Sequence, residues 1–181
     1  MSHGLNKRAD MKRTAVIGNA GGGKSTLSRR LAYEHGLPYH ELDALLWGPG
    51  WVARPVHVYE ADHSQLVAGE SWVIDGFGRL ESLPARLVRA TCVVLVDMPV
   101  WQHYSLAARR HYKWITGKLA HPPGGLSEVP SLDEVFKMIW NVDQQYMPKV
   151  RSLVTDLEAQ GMAVTRLASP ADVAGFTQTG H

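Results

Sequence analysis

The stretch GNAGGGKST occupies residues 18–26 and directly follows a short apolar run at residues 15–17. It fits the phosphate-loop pattern G-x-x-x-x-G-K-[ST], in which Gly18, Lys24 and Ser25 hold fixed positions. The alternative is a glycine-rich turn with a chance lysine. The pattern lies between a predicted strand and a predicted helix, which is the context that phosphate binding requires, so it indicates a nucleotide site.

Each part of this loop has a physical task. Its glycines let successive backbone N–H groups point at phosphate oxygens, and a helix starting at Lys24 adds about half a positive charge at its N-terminus. Lys24 can reach the β- and γ-phosphates, and the Ser25 hydroxyl can ligate Mg²⁺. The predicted nucleotide-binding residues are Gly18, Asn19, Ala20, Gly21, Gly22, Gly23, Lys24, Ser25 and Thr26.

Apolar runs alternate with helical patterns along the rest of the chain, which indicates a parallel sheet covered by helices on both faces. Ligands of such sheets bind beyond the carboxyl ends of the strands. The predicted strands are residues 14–17, 39–42, 72–74, 92–96 and 162–167. The predicted helices are residues 24–34, 56–69, 83–89, 99–116, 131–161 and 170–176, with loops at 46–55 and 117–130.

One predicted helix carries a start signal and an internal break. Ser131 and Glu134 have the spacing of a capping box before an apolar helical pattern. Pro148 is expected to break or kink that pattern, because a proline has no backbone N–H to donate.

Composition limits the class of protein. A chain of 181 residues, 45% hydrophobic and 20% charged, fits one globular domain. The formal charge of +2 gives no overall attraction to nucleic acid, so we do not expect direct nucleic-acid binding. Cys92 is the only cysteine, which excludes an intrachain disulfide and favours a small buried side chain. The histidines show no metal-ligand spacing.

No apolar run approaches the ~20 residues that a membrane span needs, so no membrane partner is expected. Residues 1–12 are polar and basic and lack the pattern of a signal peptide. We therefore expect a cytoplasmic protein, with a loose tail at residues 1–12 and a single domain at 13–181.

Three aspartates follow predicted strands: Asp43, Asp75 and Asp97. Asp75 suits the metal site that accompanies a phosphate loop, although an Asp-Gly pair also suits a simple turn. For Asp43 three interpretations stay open: a base on an acceptor hydroxyl, a contact to Mg²⁺, or a cap of the next turn.

The order of these motifs resembles that of the adenylate-kinase-type nucleoside and nucleotide kinases. The stretches ELDALLWGPGWVARP, SWVIDG and VLVDMP are more closely similar to the bacterial adenylate-kinase-like group of DNA topology modulation proteins. The resemblance covers residues 13–167. It implies an α/β P-loop NTPase sandwich with a five-stranded parallel sheet of order 2-3-1-4-5. It further implies ATP as donor, Mg²⁺ as cofactor, and a small mobile lid at about residues 117–130.

The same resemblance assigns Arg79 to the acceptor's phosphate, because Arg79 matches the arginine of the DGFPR stretch of adenylate kinases. Two departures accompany it. Gly78 stands where those kinases have proline, and the predicted lid, TGKLAHPPGG, lacks paired arginines.

Basic and aromatic side chains supply the remaining candidates. Arg109 and Lys113 share a face of the predicted helix, with Arg110 beside them and Lys118 in the loop beyond. A guanidinium matches phosphate oxygens, so the two arginines are the preferred catalytic cations. The alternatives are a solvated helix face or a weak nucleic-acid patch. Trp47 and Trp51 either pack or line an acceptor pocket, and Arg54 is a further candidate for acceptor phosphate. The predicted catalytic residues are Lys24, Asp43, Asp75, Arg109 and Arg110; the acceptor residues Asp43, Trp51, Arg54 and Arg79; the metal residues Ser25 and Asp75.

The sequence thus predicts an ATP-dependent phosphotransferase for a small-molecule acceptor, of the nucleoside or nucleotide kinase kind. Two alternatives remain open: a small-metabolite kinase with Asp43 as base on an alcohol, and a nucleotide-binding regulatory protein linked to DNA topology. The acceptor and the oligomeric state do not follow from the sequence.

Overall fold

Five parallel strands form one sheet in the computed structural model, which describes residues 10–48, 52–119 and 129–176. The strand order is β2-β3-β1-β4-β5, and every neighbouring pair is parallel. This confirms the predicted fold class and strand order. The strands are β1 (Arg13–Gly18), β2 (Tyr39–Glu41), β3 (Trp72–Asp75), β4 (Cys92–Val96) and β5 (Ala163–Leu167).

Helices cover both faces of this sheet. They are α1 (Lys24–His35), α2 (Leu42–Leu46), α3 (Val56–Ala68), α4 (Leu83–Arg89), α5 (Val100–Ile115), α6 (Leu132–Asn141), α7 (Met147–Ala159) and α8 (Pro170–Gly175). A 3₁₀ turn (Leu80–Ser82) precedes α4, and a π-helical segment (Val142–Tyr146) joins α6 to α7.

The sheet is apolar on both faces because each face has its own core. In β1, Ala15 and Ile17 pack with residues of α4 and α7, whereas Val16 packs with α1 on the other face. Strand β4 divides in the same way, with Cys92 buried as a small apolar side chain. Alternate residues of a strand point to opposite faces, so a central strand must be apolar throughout.

The second strand is shorter than predicted. It ends at Glu41, and Leu42 begins the five-residue helix α2, so Asp43 lies in the first turn of a helix rather than just beyond a strand. The predicted loop at residues 46–55 therefore starts one residue later, since Leu46 closes α2. The sequence LDALL explains the difference, because leucine and alanine favour a helix and Leu42 is fully buried in the core.

Pro148 breaks the C-terminal helical pattern, as predicted. It lies in the first turn of α7, where its missing N–H is not needed. The capping box at Ser131 and Glu134 is also present. No helix of the described ranges is long and apolar enough to cross a membrane. Most of the predicted tail (1–12) and lid (117–130) lies outside the described residues.

The capping box gives a stability prediction. The backbone N–H of Glu134 donates to Ser131 Oγ over 3.3 Å, and Glu134 Oε2 accepts from the Ser131 N–H over 2.9 Å. Ser131→Ala should lower the free energy of unfolding by about 1 kcal/mol, because a helix N–H loses its partner. Urea unfolding followed by circular dichroism measures this loss.

Ser152→Ala is the matched control, because Ser152 is exposed in the middle of α7. It should change the free energy of unfolding by less than about 0.5 kcal/mol. Equal midpoints for both variants would show that the box adds nothing to stability.

Candidate active site

The phosphate loop joins β1 to α1 and lies against the neighbouring strand β4. A side chain at Gly18 would overlap the carbonyl oxygen of Val96. A Cβ at Gly22 would lie 2.9 Å from Val96 Cγ1 and 3.0 Å from His103 Cε1, too close for any larger residue. Only glycine fits at these two positions. The loop is therefore pressed against β4 and α5 on one side, which leaves its other side for a ligand.

Two side chains, those of Asn19 and His103, hold this loop in place by hydrogen bonds. Asn19 is buried; its Nδ2 donates to the Ile139 carbonyl over 2.8 Å, and its Oδ1 accepts the Ala20 N–H over 2.7 Å. His103 Nδ1 lies 2.9 Å from the Ala20 carbonyl, so Nδ1 carries the proton and donates. Burial lowers the pKa of His103, which keeps the ring neutral near pH 7. Sequence spacing gave no indication of either role.

Lys24 lies over the loop it belongs to. Its Nζ donates to the Asn19 carbonyl over 2.8 Å, and the residue is half-buried. Its charge also acts on the carboxyl of Asp43, where it favours the ionised form. The ammonium group therefore stands between the loop and the acidic side chains that face it.

Asp75 ends β3 beside the start of the loop, since the sheet register pairs it with Val16 of β1. It is only 2% exposed. Its Oδ2 accepts a hydrogen bond from the Tyr39 hydroxyl over 3.2 Å. Its Oδ1 is buried and has no hydrogen-bond partner in the part of the chain that the structure describes. A buried carboxylate oxygen without a partner is costly, and a cation or a cation's water would satisfy it.

The buried Oδ1 of Asp75, which has no partner among the described residues, is what a site for Mg²⁺ would require. The residues present therefore fit that ion. No group of three or more metal-ligating side chains (His, Cys, Asp or Glu) occurs in the described ranges. Mg²⁺ in nucleotide sites needs no such cage, because phosphate oxygens and water supply most of its ligands. Asp75 and the Ser25 hydroxyl are the predicted contacts to the ion and its water.

Asp97 ends the next strand, β4, and has a different environment. Arg151 of α7 binds both of its oxygens, with Nε at 3.0 Å from Oδ1 and 3.1 Å from Oδ2. Arg151 Nη2 also lies 2.8 Å from Asp97 and 3.4 Å from Asp143. The charge of Asp97 is thus neutralised within the protein, whereas Asp75 keeps an oxygen for a ligand.

Asp43 and Glu41 add negative charge near Asp75. Loss of surrounding water is the largest cause that raises the pKa of Asp43, although the residue stays accessible. Asp75 raises this pKa further, and Lys24 and Arg110 oppose the rise. Burial and Asp75 likewise raise the pKa of Glu41. A Cβ at Gly76 would lie 4.0 Å from Asp43 Oδ1, which places Asp43 against the turn that follows β3.

The structure therefore brings several of the predicted catalytic residues together. The charges of Lys24, Asp75 and Arg110 each act on the carboxyl of Asp43, and Arg110 also favours the ionised form of Glu41. Arg109 is exposed on α5, and within the described ranges no hydrogen bond or ion pair holds it. Its catalytic role stays a prediction.

The predicted acceptor residues differ in their surroundings. Arg79 has a partly exposed side chain, with Nε 3.7 Å from Glu81 Oε2. Arg54 is held by Asp62, at 2.9 Å, and by the Leu45 carbonyl, at 3.2 Å. Trp51 lies outside the described residues. The acceptor roles of these three residues stay predictions.

Arg86 is a buried residue near the site that the sequence analysis missed. It is fully buried, and its Nη2 donates to the carbonyls of Gly76 and Phe77 over 3.1 Å and 3.2 Å. Burial lowers the pKa of Arg86 to about 10, and the charge of Asp75 opposes that shift. One signal was present in the sequence: Arg86 follows Leu83 by three residues and so lies on the apolar face of a short helix.

Comparisons with known proteins bear on the fold. No protein-family model matches the chain, and no curated protein does. The solved structure of shikimate kinase from Acinetobacter baumannii in complex with shikimate matches with a TM-score of 0.56 and 16% identity, over 94% of this chain and 92% of that one.

Two more shikimate kinase structures give lower scores. The protein from Bacteroides thetaiotaomicron matches at 0.47 and 16% identity, over 75% of this chain and 79% of that one. The protein from Aquifex aeolicus matches at 0.48 and 15% identity, over 93% and 95%. These two TM-scores are too low to establish a shared fold. The resemblance to the DNA topology modulation group stays a prediction. The Acinetobacter match shows a shared fold: the chain has the five-stranded parallel P-loop kinase fold of shikimate kinase.

Proposed function

We propose that this protein transfers the γ-phosphoryl group of Mg·ATP to a hydroxyl group of a small acceptor. The observation that carries the proposal is the position of Asp75, whose free, buried Oδ1 lies at the strand end beside the phosphate loop. A phosphate loop and a carboxylate on the neighbouring strand together bind a triphosphate and its metal ion. The kinase fold of the structural neighbour supports the same reaction class.

On the donor side, the loop amides and the N-terminus of α1 would bind the phosphates. Lys24 would leave the Asn19 carbonyl and bind the β- and γ-phosphates. Ser25 and Asp75 would hold Mg²⁺, directly or through water. When bound, Mg²⁺ supplies positive charge that neutralises the phosphate oxygens as the phosphoryl group moves.

On the acceptor side, we assign Asp43 the role of base. Its raised pKa makes it a better proton acceptor than an ordinary aspartate, while the charges of Lys24 and Arg110 favour its ionised form. It lies against Gly76, the residue that follows the predicted metal carboxylate, Asp75. A hydroxyl placed there would lose its proton to Asp43 as it attacks phosphorus.

The acceptor we propose carries an anionic group as well as the hydroxyl. Arg79 is the side chain that would bind this group, through paired N–H···O contacts. Nucleoside monophosphates have such a group and fit the motif order. Small hydroxylated carboxylates also have one, and a compound of that class, shikimate, is bound in the structural neighbour. Both classes therefore belong in an acceptor screen.

The direct test is an acceptor screen with Mg·ATP that measures ADP release above the rate without acceptor. AMP, adenosine and shikimate represent phosphate-bearing, neutral and carboxylate-bearing acceptors. At least one should raise turnover. Lys24→Ala should abolish it and weaken ATP binding about tenfold or more, because the loop loses a charged hydrogen bond. Acceptor-dependent turnover that is unchanged in Lys24→Ala would contradict the kinase proposal.

Two aspartate variants test the metal site. Asp75→Asn should lower kcat by about two orders of magnitude, because the side chain keeps its shape but loses the charge that holds Mg²⁺. It should also raise the Mg²⁺ concentration needed for half-maximal ATP binding, measured by calorimetry without acceptor.

Asp97→Asn is the matched control, because Asp97 follows β4, the strand on the other side of β1 from β3. It should lower stability through the weakened Arg151 pair and leave the Mg²⁺ requirement of ATP binding unchanged. If ATP binding needs more Mg²⁺ in Asp97→Asn than in Asp75→Asn, the ion binds near Asp97 and the proposed metal role of Asp75 is wrong.

Arg79→Ala tests the acceptor side. It should lower kcat/KM for an anionic acceptor about 30- to 150-fold, the equivalent of one bidentate guanidinium contact. ATP affinity without acceptor should stay within about twofold of the parent, since the contact proposed for Arg79 is to the acceptor alone. A loss of ATP affinity would move Arg79 to the donor side, and unchanged kinetics would point to an acceptor without an anionic group.

A further inference from the structure

The turn from Asp75 to Arg79 joins the predicted metal carboxylate to the predicted acceptor arginine through Gly-Phe-Gly. Gly76 and Gly78 have φ values of 108° and 63°, in the region that other residues rarely adopt. Glycine makes this path accessible but also leaves the chain more freedom than any other residue. The turn therefore needs contacts from outside to keep one shape.

Arg86 supplies two of these contacts. From its buried position on α4, its Nη2 group bonds the carbonyls of Gly76 and Phe77, the two residues that follow Asp75. Its Nε and Nη1 have no hydrogen-bond partner within the described ranges. The charge of Asp75 also favours the charged form of this guanidinium.

Tyr59 of α3 restrains the other end of the turn. Its hydroxyl accepts the backbone N–H of Arg79 over 3.2 Å and shares a hydrogen bond of 3.0 Å with Ser82 Oγ. A side chain at Gly78 would overlap that hydroxyl, so the turn lies directly on it. Arg86 and Tyr59, both fully buried, thus hold the turn from inside the protein.

Stability does not explain a buried arginine at this place. Removing a guanidinium from water is costly, and apolar residues of similar volume often serve a fold as well or better. The two carbonyl bonds and the nearby carboxylate offset that cost only in part, because two guanidinium nitrogens stay without partners. What Arg86 provides, and an apolar residue would not, is a fixed position for the two peptide groups after Asp75.

We propose that Arg86 is a positioning residue: it fixes the turn from Asp75 to Arg79 and so keeps the acceptor arginine in place relative to the metal carboxylate. The proposal rests on the proposed function for its catalytic consequence. The ordering of the turn is a property of the protein without ligands and does not depend on the proposed function.

The experiment compares Arg86→Met with Arg89→Met. Arg89 lies on the same helix and also donates to backbone carbonyls, those of Val67 and Ala68, but it does not reach the turn. Hydrogen exchange of the free protein measures the order of residues 75–79. Kinetics use whichever of AMP, adenosine and shikimate gives the highest turnover, and calorimetry measures ATP binding.

In Arg86→Met we expect residues 75–79 to exchange about tenfold faster, because two charge-assisted hydrogen bonds are lost. We expect the acceptor KM to rise by a similar factor while ATP affinity stays within about twofold of the parent. Arg89→Met should match the parent in all three measurements. Parent-like exchange in Arg86→Met would overturn the proposal, and so would faster exchange with an unchanged acceptor KM and kcat.

A second pair of variants covers failure of Arg86→Met to fold. Arg86→Lys keeps a positive charge but loses the planar guanidinium, and it should show the same faster exchange to a smaller degree. Tyr59→Phe removes only the hydroxyl that holds the Arg79 N–H, and it should speed exchange at the end of the turn. Parent-like exchange in both variants would overturn the proposal. A parent protein without turnover on any acceptor would instead overturn the proposed function, while exchange would still decide the role of Arg86 in ordering the turn.

Discussion

The contact between the phosphate loop and strand β4 is the constraint on which the site depends. Because Gly18 and Gly22 have no side chains, the loop lies directly on Val96 and on the ring of His103. This contact sets the start of α1 and turns the free side of the loop toward β3. The carboxylate of Asp75, the base candidate Asp43 and the ammonium of Lys24 then meet on that side. With any larger residue at these glycines, the loop and the strand would have to separate.

Two aspartates at the carboxyl ends of β3 and β4, the strands on either side of β1, have different environments. Both follow apolar strands and would look equivalent in a parallel sheet. Arg151 reaches Asp97 from α7 and binds both of its oxygens, so that carboxylate connects two elements. Within the described residues Asp75 accepts one hydrogen bond, from the Tyr39 hydroxyl, and its Oδ1 has no partner. The difference lies in the residue that each carboxylate meets from elsewhere in the chain.

Local patterns predicted the features that depend on local physics. The alternation of strands and helices, the glycine loop and the capping box each follow from spacing along a few residues, and the resemblance to kinases supplied the strand order. The end of β2 was missed because leucine-rich LDALL forms a helix where the apolar pattern also suits a strand. The roles of Asn19, His103 and Arg86 were missed because their partners lie far along the chain or bind through backbone carbonyls, which leave no mark on the sequence.

The hydrogen bonds that hold the phosphate loop also affect the order in which the site forms during folding. The hydrogen bond from Asn19 to Ile139 spans 120 residues, and the one from His103 to Ala20 spans 83. Contacts of such separation form late in folding, because the chain between them must first be brought together. The geometry of the glycine loop is therefore complete only after α6, which carries Ile139, has docked. The proposed nucleotide site thus depends on the folding of α5 and α6, and the glycine motif alone does not form it.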